Sequence, residues 1–241
     1  MNTLDVKRTE LEGLVQEYIR RDVLWKPDIL LIKKDAHLAV VKDYAYQPFL
    51  YRFFVGIVAN SREIRVYQRL KGVAGVPTVY GRVDRYALVL SFVRGRNAAK
   101  CVPGELKDSF FRRLRESVDE IHSRGIVLCD LRNARNIMID EDENPVLIDL
   151  CTAFSRGRRL NFIRNFIFDI FYQDDLLGIA KLKVSLAPHL LTEDERQKLQ
   201  NGLRFQRQAI WLRNVGRKIL KKIGAIGGIH GRNHSGPSFR L

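Results

Sequence analysis

The hydrophobic positions of this chain change period along its length, and the changes divide it into elements. Leu4, Leu11, Leu14, Val15 and Tyr18 recur at helical spacing and predict a helix over residues 4–22, with Pro27 interrupting beyond it. ILLIKK (29–34) and LAVVKDY (38–44) are short apolar runs and predict two strands joined as a hairpin through Asp35, Ala36 and His37. SREIRVYQRLKGV (61–73) returns to a helical period, with Ser61 as its candidate N-cap. TVYGRV and YALVLSFV are again strand-like, and Gly95 to Gly104 is loop. In LKDSFFRRLRESVDEIHSRG, Phe110, Leu114, Val118 and Ile121 fall on one helical face and Gly125 ends the helix. NIMID and PVLIDL are short strands around the turn cluster EDEN, and DDLLGIAKLKVSL is helical. Thr192 with Glu195 three residues on is a capping-box pattern opening another helix.

The pattern predicts an α+β architecture: a small β-rich half with one helix after the N-terminal one, then a mostly helical half, with the junction near Val93 to Ala98. The expected units are residues 1–95, 96–195, and a basic helix with a frayed tail over 196–241. Composition adds three constraints. Hydrophobic residues make up 46% of 241, enough for a sizeable core. No apolar run approaches the roughly 18 residues of a membrane span, and the N-terminus carries no apolar signal region. Three cysteines without CxxC spacing fit a reducing compartment, so a cytoplasmic location is expected. The net charge of +15 is uneven: from Arg196 to the end there are 11 Lys/Arg and no Asp or Glu. Such a field favours an anionic partner, whether a phospholipid or lipopolysaccharide surface or a nucleic acid.

The chemistry concentrates in GIVLCDLRNARNIMIDEDENPVLIDL (125–150), where Asp130, Asn136 and Asp149 interrupt the most strand-like stretch. Burying a charge there is expensive unless it faces a partner. The order of a strand lysine, a helix glutamate, an Asp loop with an Asn, and a strand-end Asp resembles the protein-kinase-like fold over residues 28–183. The nearest flavours are the small bacterial lipopolysaccharide-core (Kdo/heptose) kinases and the RIO-like kinases. The resemblance implies two lobes, ATP and Mg2+ as cofactors, and transfer of the γ-phosphoryl group to a hydroxyl. It implies Asp130 as catalytic base, Asn136 and Asp149 as metal ligands, Lys42 (in VVKDY) on the phosphates and Glu63 as its ion-pair partner. Leu90 and Phe92, in LVLSFVRG, fall where the adenine-binding hinge would be. Asp175 resembles the helix acid that braces the catalytic loop, with Asp174 a close competitor. His122 is expected to pack and hydrogen-bond rather than catalyse.

The sequence also departs from that pattern. Asn136 is six residues after Asp130 where the usual spacing is five, consistent with a one-residue insertion; Asn133 is the rival. Leu128 and Cys129 stand in place of the His and Arg before the catalytic Asp, and Cys151 in place of the glycine two residues after Asp149. No glycine-rich loop precedes Lys42, only the Asp35–His37 turn.

Two basic-aromatic stretches bear on partners. FSRGRRLNFIRNFIF alternates Arg156, Arg158, Arg159 and Arg164 with Phe154, Phe162, Phe166 and Phe168, in the place of a kinase's substrate-binding segment. Residues 210–223 carry an apolar stripe of Ile210, Trp211, Val215, Ile219, Leu220 and Ile223 beside Arg213, Arg217, Lys218, Lys221 and Lys222. That stripe fits a helix lying on an anionic membrane and equally one docked on the domain. The acceptor expected from these features is a lipopolysaccharide-core sugar or other membrane-surface glycolipid, on the inner face of the membrane. The alternatives are a protein acceptor, as in atypical RIO-like Ser/Thr kinases, and an inactive scaffold that binds membrane or RNA.

Overall fold

The computed structural model describes residues 4–201 and, beyond them, 210–212, 214, 215 and 218. Its N-terminal part is an antiparallel sheet of five strands. These are β1 (Val15–Arg20), β2 (Asp28–Lys34), β3 (His37–Asp43), β4 (Val79–Asp84) and β5 (Ala87–Ser91), in the order β1-β2-β3-β5-β4. β2 and β3 pair without a slip from Asp28↔Asp43 to Lys34↔His37, so the Asp35–His37 hairpin stands as the sequence predicts.

Register and alternation give the sheet two different faces. Leu30, Ile32, Ala39, Val41, Ala87 and Val89 form the outer face, and Val6 and Leu11 of the N-terminal segment close it. Arg8 anchors that segment, pairing with Asp43 and with Asp84 at 2.8 Å. The opposite face carries Ile29, Leu31, Val40, Lys42, Leu88 and Leu90, each opposite another member across the ladder. Against it lies α3 (Ile57–Arg69), whose Ile64 and Tyr67 share a core with Leu88 and Leu90.

Two N-terminal expectations fail. Residues 4–22 are not one helix: only Leu11–Leu14 form a turn, α1, and 15–20 become β1, paired with β2. The apolar spacing there is real, but Val6, Leu11, Leu14 and Val15 use it to cover a sheet, and edge pairing to β2 satisfies the backbone better than an isolated helix would. Nor is Ser61 an N-cap. The helix begins at α2 (Phe49–Tyr51), just after Pro48, and runs through a π-turn at Arg52–Gly56 into α3. Proline before the first turn supplies the start that Ser61 was expected to give.

The C-terminal part is helical. α4 (Asp108–Ser123) buries Phe110, Phe111, Leu114, Val118 and Ile121. Each such side chain contributes on the order of 2 kcal/mol. Gly125 adopts φ +68 after the helix, as its predicted role as a terminator requires. β6 (Arg96–Asn97), β7 (Ile126–Val127), β8 (Ile137–Ile139), β9 (Pro145–Leu147) and β10 (Phe154–Ser155) make two small sheets. α5 is a single 25-residue helix, Phe162–Leu186, longer than the predicted 174–186. α6 (Glu193–Asn201) follows a complete capping box: the Thr192 N–H donates to Glu195 at 2.9 Å, and the Glu195 N–H donates to the Thr192 hydroxyl at 3.2 Å. No helix among the described residues is long and apolar enough to cross a membrane. The predicted basic helix at 210–223 lies mostly outside the described residues. Those that are described are helical, and Leu212 packs against the cluster of Val127, Phe168 and Phe171. The frayed tail expected beyond it lies outside them altogether.

Candidate active site

Lys42 is set by β3, Glu63 by α3, and Asp149 by the end of the chain leaving β9. They are far apart in sequence and meet at one ammonium: Lys42 Nζ donates to Glu63 Oε1 at 2.6 Å and to Asp149 Oδ1 at 3.0 Å. Lys42 and Glu63 are buried, whereas the Asp149 side chain is 38% exposed. Burial acts to lower the lysine's pKa, but Glu63 and Asp149 outweigh it and hold the ammonium well above its usual value. Burial pushes the Glu63 carboxyl up, opposed by Lys42. At Asp149, burial acts upward too, but Lys42 and hydrogen bonds from Cys151 prevail and hold its carboxyl below the usual value. A cation thus stands beside a carboxylate kept ionised at the mouth of the pair.

Asp130 lies in the loop between β7 and β8. The loop makes two successive turns: the Asn133 N–H bonds the Asp130 carbonyl at 3.2 Å, and the Asn136 N–H bonds the Asn133 carbonyl at 2.9 Å. The second turn is a 3-10 turn over Ala134–Asn136, capped by the Asn133 side-chain oxygen. These turns absorb the extra residue between Asp130 and Asn136. Both amides approach the same carboxylate oxygen, Asn133 Nδ2 at 3.3 Å and Asn136 Nδ2 at 3.4 Å from Asp130 Oδ2. Asn133 spends its oxygen on the cap, while Asn136 stands immediately before β8, where the Ile148 N–H bonds its carbonyl at 2.9 Å and ties it to the Asp149 strand.

α5 holds this loop from behind. Asp175 is fully buried and accepts from the backbone N–H groups of Leu128 at 2.6 Å and Cys129 at 3.0 Å. His122 Nε2 lies 3.1 Å from the same carboxylate, and its ring lies tilted against Tyr172, the centroids 4.5 Å apart. Burial drives the Asp175 carboxyl up, and His122 with the Leu128 N–H works against it. Asp174 instead pairs with Lys181 at 3.0 Å, which separates the two competing acids. The brace has a strained partner: Cys129, immediately before Asp130, has φ +66, a left-handed conformation that costs a non-glycine residue about 1 kcal/mol or more. Gly178 lets α5 come close, since a Cβ there would sit 3.1 Å from Leu131.

Leu90 is buried at the back of the Lys42 face. Phe92 lies past the end of β5 and lines a cavity of about 320 Å³ with Gly75, Thr78, Arg94 and Asp140; Lys42, Glu63, Asp130, Asn136 and Asp149 do not line it. The structure therefore brings Leu90 to the lysine face, and Phe92 follows it two residues on, just past the end of β5.

Three features escaped the sequence. Ile29, Leu31 and Val40 are half-buried on the Lys42 face and offer an apolar ceiling. Arg132 Nε lies 3.9 Å from Asp130 Oδ1, a cation beside the loop acid. The β1–β2 connection, residues 21–27, also precedes the lysine strand, one hairpin before the Asp35–His37 turn. It contains no glycine and is pinned by aromatic contacts: Trp25 meets Tyr51 edge-on at 5.1 Å, and the Tyr51 hydroxyl donates to the Trp25 carbonyl at 2.7 Å. Cys151 sits beside Asp149, where burial and the neighbouring carboxylates hold its thiol well above its usual pKa, so it is a poor nucleophile.

With that geometry in place, comparison with known proteins becomes informative. A solved structure of the Rio2 kinase from Chaetomium thermophilum, in a complex with ADP, Mg2+ and phosphoaspartate, matches with TM-score 0.55 and 16% identity. The match covers 77% of this chain and 60% of that one. This chain has a protein-kinase-like fold. The likeness at that identity is one of fold. No protein-family model matches the sequence, and no curated protein matches it.

The residues present fit a magnesium-bound nucleotide by donor chemistry. Among the described residues there is no cluster of three or more His, Cys, Asp or Glu side chains suited to a metal. Mg2+ held through one carboxylate, one amide oxygen and phosphate oxygens needs no such cluster.

Proposed function

We propose that this chain is an ATP- and Mg2+-dependent phosphotransferase that passes the γ-phosphoryl group to a hydroxyl. The observation that carries the reading is the meeting of Lys42, Glu63 and Asp149, with Asp130 and Asn136 on the adjoining loop. Lys42 neutralises phosphate charge, and Glu63 fixes its rotamer. Asp149 and Asn136 supply hard oxygens for Mg2+, which when bound offsets charge on the phosphates. Asp130 orients the acceptor hydroxyl and takes its proton. Asp175 positions Asp130 through the Leu128 and Cys129 amides, and Arg132 adds positive charge where the transferred group passes. Ile29, Leu31, Val40 and Leu90 form the apolar surface for the base.

The acceptor we favour is a sugar hydroxyl of a lipopolysaccharide core or another membrane-surface glycolipid. The sequence resemblance and the basic-aromatic run between Asp149 and α5 support it. A protein hydroxyl is the second reading, favoured by the sequence resemblance to RIO-like kinases. An inactive scaffold is the third, favoured by the lack of any glycine in the β1–β2 connection. Asp130→Ala and Asp149→Ala are expected to abolish Mg2+-dependent ATP turnover while circular dichroism stays unchanged. Wild-type turnover in either variant would reject the assignment.

A further inference from the structure

The segment that leaves β10 and runs into the first turns of α5 combines two surface properties that usually exclude each other. Leu160, Phe162, Ile163 and Phe166 are between 61% and 82% exposed. Around them, between Leu150 and Asp169, the chain carries four arginines and no Asp or Glu. This is not a frayed stretch. The Gly157 N–H donates to Asn165 Oδ1 at 3.0 Å, Asn165 Nδ2 to the Arg158 carbonyl at 3.2 Å, and the Arg164 N–H to Asn161 Oδ1 at 3.1 Å. Arg164 also reaches back to the Ser155 carbonyl at 2.9 Å and lies over the Phe154 ring. These bonds fold residues 157–161 onto the first turns of α5 and hold the apolar side chains outward.

The arginines divide their work. Arg156 pairs with Asp169 at 2.8 Å, and Arg164 holds the turn. Arg158 and Arg159 are exposed and make no ion pair among the described residues. On the same side of the fold, Leu212 packs against Phe168 and its neighbours, and Trp211 beside it is 64% exposed.

We propose that residues 158–166 form a docking surface for an anionic phospholipid bilayer. Apolar side chains on a held turn, flanked by unpaired guanidinium groups, match an interface whose interior is hydrocarbon and whose surface is negative. A water-facing surface would need the charge but not the exposed Leu, Ile and Phe. A protein partner would bury the apolar side chains, but nothing in the segment selects for one, whereas its uniform positive charge complements an anionic headgroup layer. The surface rests on the phosphotransferase reading only for its purpose, which is to bring the catalytic loop to a membrane-borne acceptor.

The test is flotation of the full chain with vesicles of phosphatidylcholine alone and of equal parts phosphatidylcholine and phosphatidylglycerol. Wild type should float with the mixed vesicles only. Phe162→Ser with Ile163→Ser, and separately Arg158→Glu with Arg159→Glu, should each weaken partitioning at least about tenfold, because both the apolar and the charged component are required. All four side chains are exposed, so unchanged thermal melts and unchanged Mg2+-nucleotide binding should accompany the loss. Asp130→Ala should float like wild type, which separates this proposal from the catalytic one. Wild-type partitioning by either double variant, equal flotation with neutral vesicles, no flotation of wild type, or tight RNA binding in place of vesicle binding would each overturn it.

Discussion

At the scale of single residues, the site is governed by one ammonium shared between two carboxylates. Glu63 is buried, so removing its cation leaves an uncompensated charge. Lys42→Met should therefore cost about 3 kcal/mol of stability as well as nucleotide binding. The double variant Lys42→Met, Glu63→Leu should recover most of that stability and none of the binding, which urea melts and calorimetry with Mg2+-ATP would separate. Asp149 makes a different forecast. Its carboxyl is held below the usual value, so the stability it contributes is present above about pH 4 and is lost as pH falls through its folded-state value. Wild type and Asp149→Asn should differ in melting temperature at neutral pH and converge in acid; a gap that widens in acid would contradict the assignment of Lys42 as its partner. That Lys42, Glu63 and Asp149 would meet, with Asp130 and Asn136 side by side on one loop, was legible from sequence because their order along the chain is itself a pattern. Arg132, Ile29, Leu31 and Val40 could not. An arginine in a loop and an apolar residue in a strand look the same wherever they point, and only the sheet register says which face they share.

At the scale of elements, α5 carries the argument. Its Asp175 takes two backbone amides and faces a histidine, in order to keep Cys129 in a left-handed conformation immediately before Asp130. Asp175→Ala removes the carboxylate that accepts from two buried N–H groups and should cost about 2 kcal/mol or more. Because Asp175 touches no reacting atom, kcat should fall while the Kd for Mg2+-ATP changes little; a nucleotide-binding loss with unchanged kcat would contradict a positioning role. The β1–β2 connection is the second such element. Lacking glycine, it is held by the Trp25–Tyr51 contact together with hydrogen bonds with Gln47 and Asp28, so Tyr51→Phe, which removes the bond to the Trp25 carbonyl, should weaken Mg2+-ATP binding with no loss of fold. The strands β2–β5, α4 and the capping box of α6 were legible because local pattern and tertiary role agree there. β1 was not, because an apolar set at helical spacing also serves a segment that crosses a sheet. Ser61 misled for a related reason: a good capping residue in mid-helix looks like a start when the true start, after Pro48, carries the exposed aromatics Phe49, Phe53 and Phe54.

At the scale of the whole molecule, Asp130, Asn136 and Asp149 come from the helical half and Lys42 and Glu63 from the sheet half, and the Lys42–Asp149 ion pair links the two sets beside a shared hydrophobic core. In sequence, much of the excess positive charge falls in the run from Arg156 to Arg164 and after Arg196, while Lys42 and Arg132 stand at the centre itself. That distribution was visible in composition, but its meaning was not, since a basic stripe reads the same whether it meets a bilayer or the protein's own surface. Leu212 packed against the α5 cluster shows that at least part of the basic segment uses the protein's own surface.

The most direct test of the central claim is transfer of label from γ-labelled ATP by the purified full chain, with lipopolysaccharide and total protein offered together as acceptors. The account predicts Mg2+-dependent labelling of the glycolipid fraction that disappears in Asp130→Ala and in Lys42→Met. Label on protein alone would keep the phosphotransferase and replace its acceptor. No label on either acceptor, with no Mg2+-dependent binding of ATP by the wild-type chain, would contradict the account at its root.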